Sequence, residues 1–266
     1  MRELTFGFSP CPNDTFAFHA LVHGLVDAPF RVRPVLHDIE ELNRRARTRE
    51  LDLTKLSFGA LGSVRGYEML RSGAALGHGC GPLVVARRPL TLHEAATKRL
   101  AIPGRDTTAF LLLRVFAPEL DESGLVERRY DEILGAVAGG EVEAGLIIHE
   151  SRFTYRDHGL ERVADLGELW EARTGLPVPL AAICAAADLD EGLRREVQRA
   201  LRASVEYAFA HPAASLDYVR ANSQELSDDV CRQHIELYVN EFSIDLGTEG
   251  LAAIDALIAE PAASRR

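Results

Sequence analysis

Short apolar runs take turns with helical stretches over the first 187 residues, and few folds accommodate that alternation. Residues 4–8 read as a strand running into the turn Ser9-Pro-Cys-Pro-Asn-Asp14, and the spacing predicts a helix over 14–24 capped by Asn13 or Asp14. Strands follow at 30–36, 53–57, 82–86, 100–102, 125–129 and 144–148, with helices at 38–48, 107–117 and 131–138 between them. A further apolar run covers 180–187, after Pro177 and Pro179. The pattern argues for an α/β fold with a largely parallel sheet and helices on its faces. Beyond Asp190 it turns helical, over 191–210, 213–221, 228–240 and 249–259.

Arg87-Arg88-Pro89 interrupts the first series of strands, and a second series opens at Leu100. A chain of 266 residues suits two lobes better than one sphere. The expected layout inserts a smaller lobe, 88–187, into a larger discontinuous lobe formed by 1–87 and 188–266. Two linking segments make a hinge, and a hinge places a ligand in the interlobe cleft.

Charge narrows the choice of ligand. Lys and Arg number 30 against 40 Asp and Glu, and the resulting net charge of −10 repels phosphate backbones. No basic cluster is interleaved with aromatics, so no nucleic acid is expected as a partner. No run approaches the roughly 20 apolar residues of a membrane span, so no membrane is expected either. The sequence opens in strand pattern and not with the basic patch and apolar run of a secretory signal, which points to the cytoplasm. Cys11, Cys80, Cys184 and Cys231 lie far apart, outside any CxxC pair, and read as reduced thiols. His19 and His23 are spaced as a metal pair on a helix but lack a third ligand, so no metal site is expected.

Four segments carry candidate site residues. In the first turn, prolines on both sides of Cys11 stiffen the chain ahead of a helix start, where free N–H groups and a partial positive charge suit a carboxylate. Ser9, Asn13, Asp14 and Thr15 are the candidates there; a capping turn without a ligand explains the same residues, and Asp14 either caps or binds a hydroxyl. In Leu53-Thr-Lys-Leu-Ser57 the strand period puts Thr54 and Leu56 on one face, Lys55 and Ser57 on the other. A lysine inside an apolar strand needs an anionic partner or a route to solvent.

Pro103-Gly-Arg-Asp-Thr-Thr108 repeats the strand–turn–helix logic in the second lobe. Thr107 suits the cap and Thr108 a hydroxyl directed toward a bound oxygen, a simple N-cap without a ligand explains the same residues, and Arg105 and Asp106 are given no role. His149 ends the buried strand Gly145-Leu-Ile-Ile-His at the cleft. An imidazole with an ordinary pKa near 6.5 takes a proton in such a place, and a structural histidine is the alternative.

Together these segments resemble a known family, the 1,4-dihydroxy-6-naphthoate synthases of the futalosine route to menaquinone. The resemblance rests on Gly7-Phe-Ser-Pro-Cys-Pro-Asn-Asp-Thr-Phe16, Leu53-Thr-Lys-Leu-Ser57, Gly81-Pro-Leu-Val-Val-Ala-Arg87, Thr107-Thr108 and Gly140 through Tyr155. It continues through Trp170-Glu-Ala-Arg-Thr-Gly-Leu-Pro177 and His211-Pro212, and so covers most of the chain. It implies a two-lobed type II periplasmic-binding-protein-like fold and a lyase converting cyclic dehypoxanthine futalosine to 1,4-dihydroxy-6-naphthoate. It further implies His149 as proton acceptor, with Lys55, Leu56, Ser57, Thr107 and Thr108 as contacts to a small carboxylate substrate. The chemistry requires no metal or redox cofactor. Two other readings suit the same architecture: a non-catalytic binder of small anions, and a sister lyase acting on a chorismate-derived acid.

Overall fold

Residues 1–224 and 227–260 are described by a computed structural model, in which two sheets face each other. The first contains β1 (Arg2–Phe8), β2 (Phe30–Leu36), β3 (Leu53–Ser57), β4 (Tyr67–Met69) and β5 (Ala75–Gly77). The second contains β6 (Leu83–Ala86), β7 (Leu100–Ile102), β8 (Leu125–Glu127), β9 (Ala144–Ile147) and β10 (Glu161–Asp165). The last strand, β11 (Val178–Ala186), returns to the first sheet between β3 and β4.

The sheets are mixed, which corrects the expectation of a largely parallel one. β1 pairs parallel to β2 and β3, and β7 parallel to β8 and β9. β11 runs antiparallel to β3, β4 and β5, and β6 antiparallel to β9 and β10. The cause is the way the chain changes sheets. It crosses from β5 into β6 by a short loop and later comes back into β11 from the other sheet, so neither strand is joined to a neighbour in its own sheet by the crossover that parallel pairing requires. Sheet membership also moves the expected exchange points by one strand each: residues 83–86 belong to the second sheet, and 178–186 to the first.

One apolar cluster belongs to the first sheet, and another runs between the two sheets. Phe6 and Phe8 of β1 meet Phe18 from the helix Pro12–Val22 with ring centroids 4.9–5.3 Å apart. Val197, Leu201 and Val205 of the long helix Glu191–Ala210 close that cluster from outside. On the other side Val84, Leu100 and Ile102 pack with Leu112 and the fully buried Trp170, whose indole N–H donates to the Pro177 carbonyl at 3.0 Å. The first helix begins earlier than expected, at Pro12 with Cys11 in the cap position, because a proline loses no hydrogen bond in a first turn. Asn13 and Asp14 therefore sit inside the helix. Among the described residues no helix is long and apolar enough to cross a membrane.

Candidate active site

The turn after β1, the end of β3, the loop after β7 and the loop after β9 converge on one cavity of about 60 Å³. Ser9, Asn13, Lys55, Ser57, Thr107, Thr108 and His149 all line it, with Ile39, Ile148, Leu180 and Tyr238 as apolar walls. Three expected residues do not. Leu56 points from the other face of β3 into a cluster with Ala46, Ala60, Val64 and Cys184. The Thr15 hydroxyl is buried and donates to the Cys11 carbonyl at 3.0 Å. Asp14 lies behind the cavity wall and organises it.

Asp14 is the centre of the first wall. Its Oδ2 accepts from the Ser9 N–H at 3.0 Å and the Ser9 hydroxyl at 2.8 Å. Its Oδ1 accepts from Asn13 Nδ2 at 2.8 Å and pairs with the buried Lys55 ammonium. The anionic partner that a lysine in an apolar strand requires is thus supplied from within the protein. Asn13 Oδ1, by contrast, is buried without a hydrogen-bond partner.

The second wall begins at Thr107, which caps the helix Thr108–Phe116 as expected by accepting from the Phe110 N–H at 3.1 Å. Thr108 is already engaged: its hydroxyl accepts from the Gly59 N–H at 3.1 Å and donates to the Leu180 carbonyl at 2.5 Å. Both partners belong to the first sheet's side, so Thr108 joins the two halves. Gly59 has to be glycine for this approach, since a Cβ there would stand 2.5 Å from the Thr107 carbonyl oxygen.

Asp106, given no role by the sequence, joins the halves too. Its carboxylate pairs with Arg47 at 2.5 Å and its N–H donates to Glu40 at 3.2 Å. Burial, reinforced by the Asp106 charge, pushes the Glu40 carboxyl up to about 7.

His149 sits in the loop between β9 and the short helix Ser151–Thr154, with φ at 57°. That left-handed backbone is uncommon for a side-chain-bearing residue and costs about 1–3 kcal/mol, which the surrounding structure must offset. The ring packs edge-on against Tyr130 at 4.8 Å, and its Nε2 is buried without a partner. Burial, and secondarily the Lys55 charge, bring its pKa down to about 4. Behind it lies His234, fully buried with neither ring nitrogen hydrogen-bonded, 6.2 Å from His149 between centroids. His234, Tyr130 and Tyr238 escaped the sequence reading. A single histidine or tyrosine on an amphipathic helix carries no local sign of which cavity it approaches.

Residues 4–262 match the model of a family described as menaquinone biosynthesis. A 1,4-dihydroxy-6-naphtoate synthase of Thermus thermophilus is 58% identical over 98% of this chain and 94% of its own. One from Streptomyces coelicolor is 44% identical over 98% of this chain and 93% of its own. Protein AF1704 from Archaeoglobus fulgidus superposes with a TM-score of 0.90 at 35% identity, covering 96% of this chain and 95% of that one. The Candida albicans CA3427 gene product, described as having the generic periplasmic binding protein fold, reaches 0.65 at 12% identity over 97% and 89%. The fold is therefore that of the periplasmic binding proteins.

Proposed function

The chain belongs to the menaquinone biosynthesis family, and from that premise we propose that it is a carbon–carbon lyase converting cyclic dehypoxanthine futalosine to 1,4-dihydroxy-6-naphthoate. The observation that carries the proposal is the Nε2 of His149, unpartnered at the cavity and held neutral by its lowered pKa. Forming an aromatic naphthoate requires a proton to leave and the carbon–carbon bond to the sugar portion to break, with aromatisation supplying the driving force. A neutral imidazole accepts that proton, and an enclosed site keeps water from competing for it.

Lys55 and Ser57 face the carboxylate, while Asn13 Oδ1 accepts from a substrate hydroxyl. A volume of about 60 Å³ admits only a few water molecules, so the two sheets act as lobes that part to admit substrate. The contacts of Thr108 and Asp106 are then those of the closed form. Incubation with cyclic dehypoxanthine futalosine, followed by mass spectrometry, tests the reading. Naphthoate formation is expected; tight binding without turnover would favour a plain binding protein, and turnover only of a chorismate-derived acid would favour a sister lyase.

A further inference from the structure

Four serine and threonine hydroxyls line the cavity, and they differ in where their protons go. Ser9 gives its proton to Asp14, Thr107 to the Gly104 carbonyl at 2.8 Å, and Thr108 to the Leu180 carbonyl. Among the described residues, Ser57 gives its proton to no protein group. Its Oγ instead accepts from Asn43 Nδ2 at 3.1 Å, while its N–H donates to Asn43 Oδ1 at 3.0 Å. The orientation of the Asn43 amide follows from this pairing, because only its oxygen can accept the Ser57 N–H. The second Nδ2 hydrogen goes to Glu40 at 3.3 Å, and the asparagine is fully buried.

We propose that Asn43 is a positioning residue that makes Ser57 a hydrogen-bond donor into the cavity, and so selects a carboxylate as the ligand group. With Asn43 filling one lone-pair direction of Oγ, the hydroxyl proton points away from the amide and toward the cavity. A carboxylate accepts it; a ligand offering a donor at that point meets two protons face to face. Asn43 touches no ligand itself and acts through Ser57. The inference rests on the reading of Ser57 as a substrate contact.

The test is calorimetric titration of the full chain with 1,4-dihydroxy-6-naphthoate and, for comparison, 1,4-dihydroxynaphthalene, which lacks the carboxylate. Asn43→Asp keeps the shape and still accepts the Ser57 N–H, but offers Oγ an acceptor and so draws the hydroxyl proton away from the cavity. Naphthoate affinity should fall by about ten- to a hundredfold, the scale of a lost hydrogen bond to a charged group. Asn43→Ala leaves the hydroxyl free to rotate and should lose less.

In a Ser57→Ala background the two substitutions at 43 should differ only by the repulsion between aspartate and the naphthoate, a smaller gap than with Ser57 in place, and 1,4-dihydroxynaphthalene should bind equally to all variants. A merely structural role predicts the same loss for both ligands whether or not Ser57 is present. Either that result or a larger loss for Ala than for Asp overturns the proposal. Unchanged naphthoate affinity in Ser57→Ala alone would instead remove Ser57 from the site. Ser57→Ala needs no change in the core, so the comparison of the two ligands survives even if a variant at 43 does not fold.

Discussion

Two clusters at the cleft, one around Asp14 and one around His149, treat their polar groups in opposite ways. On the first, the carboxylate of Asp14 takes four donors, and Asn43 holds Ser57 from both sides. On the second, His149 Nε2 is buried with no hydrogen-bond partner among the described residues, nor has either ring nitrogen of His234, which the helix Asp228–Tyr238 brings in from the first sheet's side. Closed networks of this kind rigidify a site, whereas unpaired buried nitrogens cost free energy and persist where something else repays them. The residues that look most ligand-like in the sequence, Lys55 and Asp14, are largely spent on each other. The proposed base is the imidazole that the protein does not satisfy.

The sharpest way to break this contrast is His149→Asn. Asparagine tolerates the left-handed backbone, so the fold and substrate binding should survive while kcat falls by about 10²–10⁴. Near-normal turnover would remove the base. Lys55→Met should cost about 3–5 kcal/mol of stability by leaving Asp14 buried and uncompensated, readable as a drop in Tm. Lys55→Met combined with Asp14→Leu should recover a good part of that loss; if it does not, the first wall is more than a closed network.

Proton chemistry separates the walls further. His149 titrates near 4 and not near 6.5, so activity should hold through mildly acidic pH and drop only as pH falls through about 4. An acid limb at 6.5 would contradict a buried neutral base. Linkage through the same group gives stability that is full above 6.5 and lost as pH falls through 4. Glu40 has the opposite sign. Its folded pKa, about 7, lies above the ordinary carboxyl value. The folded state therefore holds an extra proton, and this contribution is present below about 4.5 and lost as pH rises through 7. Glu40→Gln should flatten that part of a Tm-versus-pH curve. The smallest effect is expected for Thr107→Ala, about 1 kcal/mol for a helix cap, with kcat unchanged.

Much of this molecule was legible in the sequence where elements are long or strongly patterned. The strands Phe30–Leu36, Leu53–Ser57 and Leu100–Ile102 and the helix Glu191–Ala210 have the bounds that periodicity assigns them. β4 and β5, three residues each, are too short to show a period, and the half-exposed β10 alternates poorly. The helices Leu92–Ala96 and Leu166–Thr174 also went unread, the second because apolar residues fall on more than one of its sides. Pro179 hid the start of β11; it sits at an irregularity in the pairing with β5, where a missing donor does no harm. In the site, strand period alone separated Lys55 and Ser57 from Leu56. Asn43, Asp106 and His234 act through contacts with residues 14, 59 and 85 positions away, which no local pattern encodes.

The backbone at His149 sets stability and turnover against each other at a single codon. Glycine would relax the left-handed conformation at position 149 and remove a buried nitrogen without a partner, and would in the same step remove the proposed base. Selection for folding alone would therefore favour losing this histidine. On the proposed role of His149, His149→Gly is expected to bind substrate without turning it over.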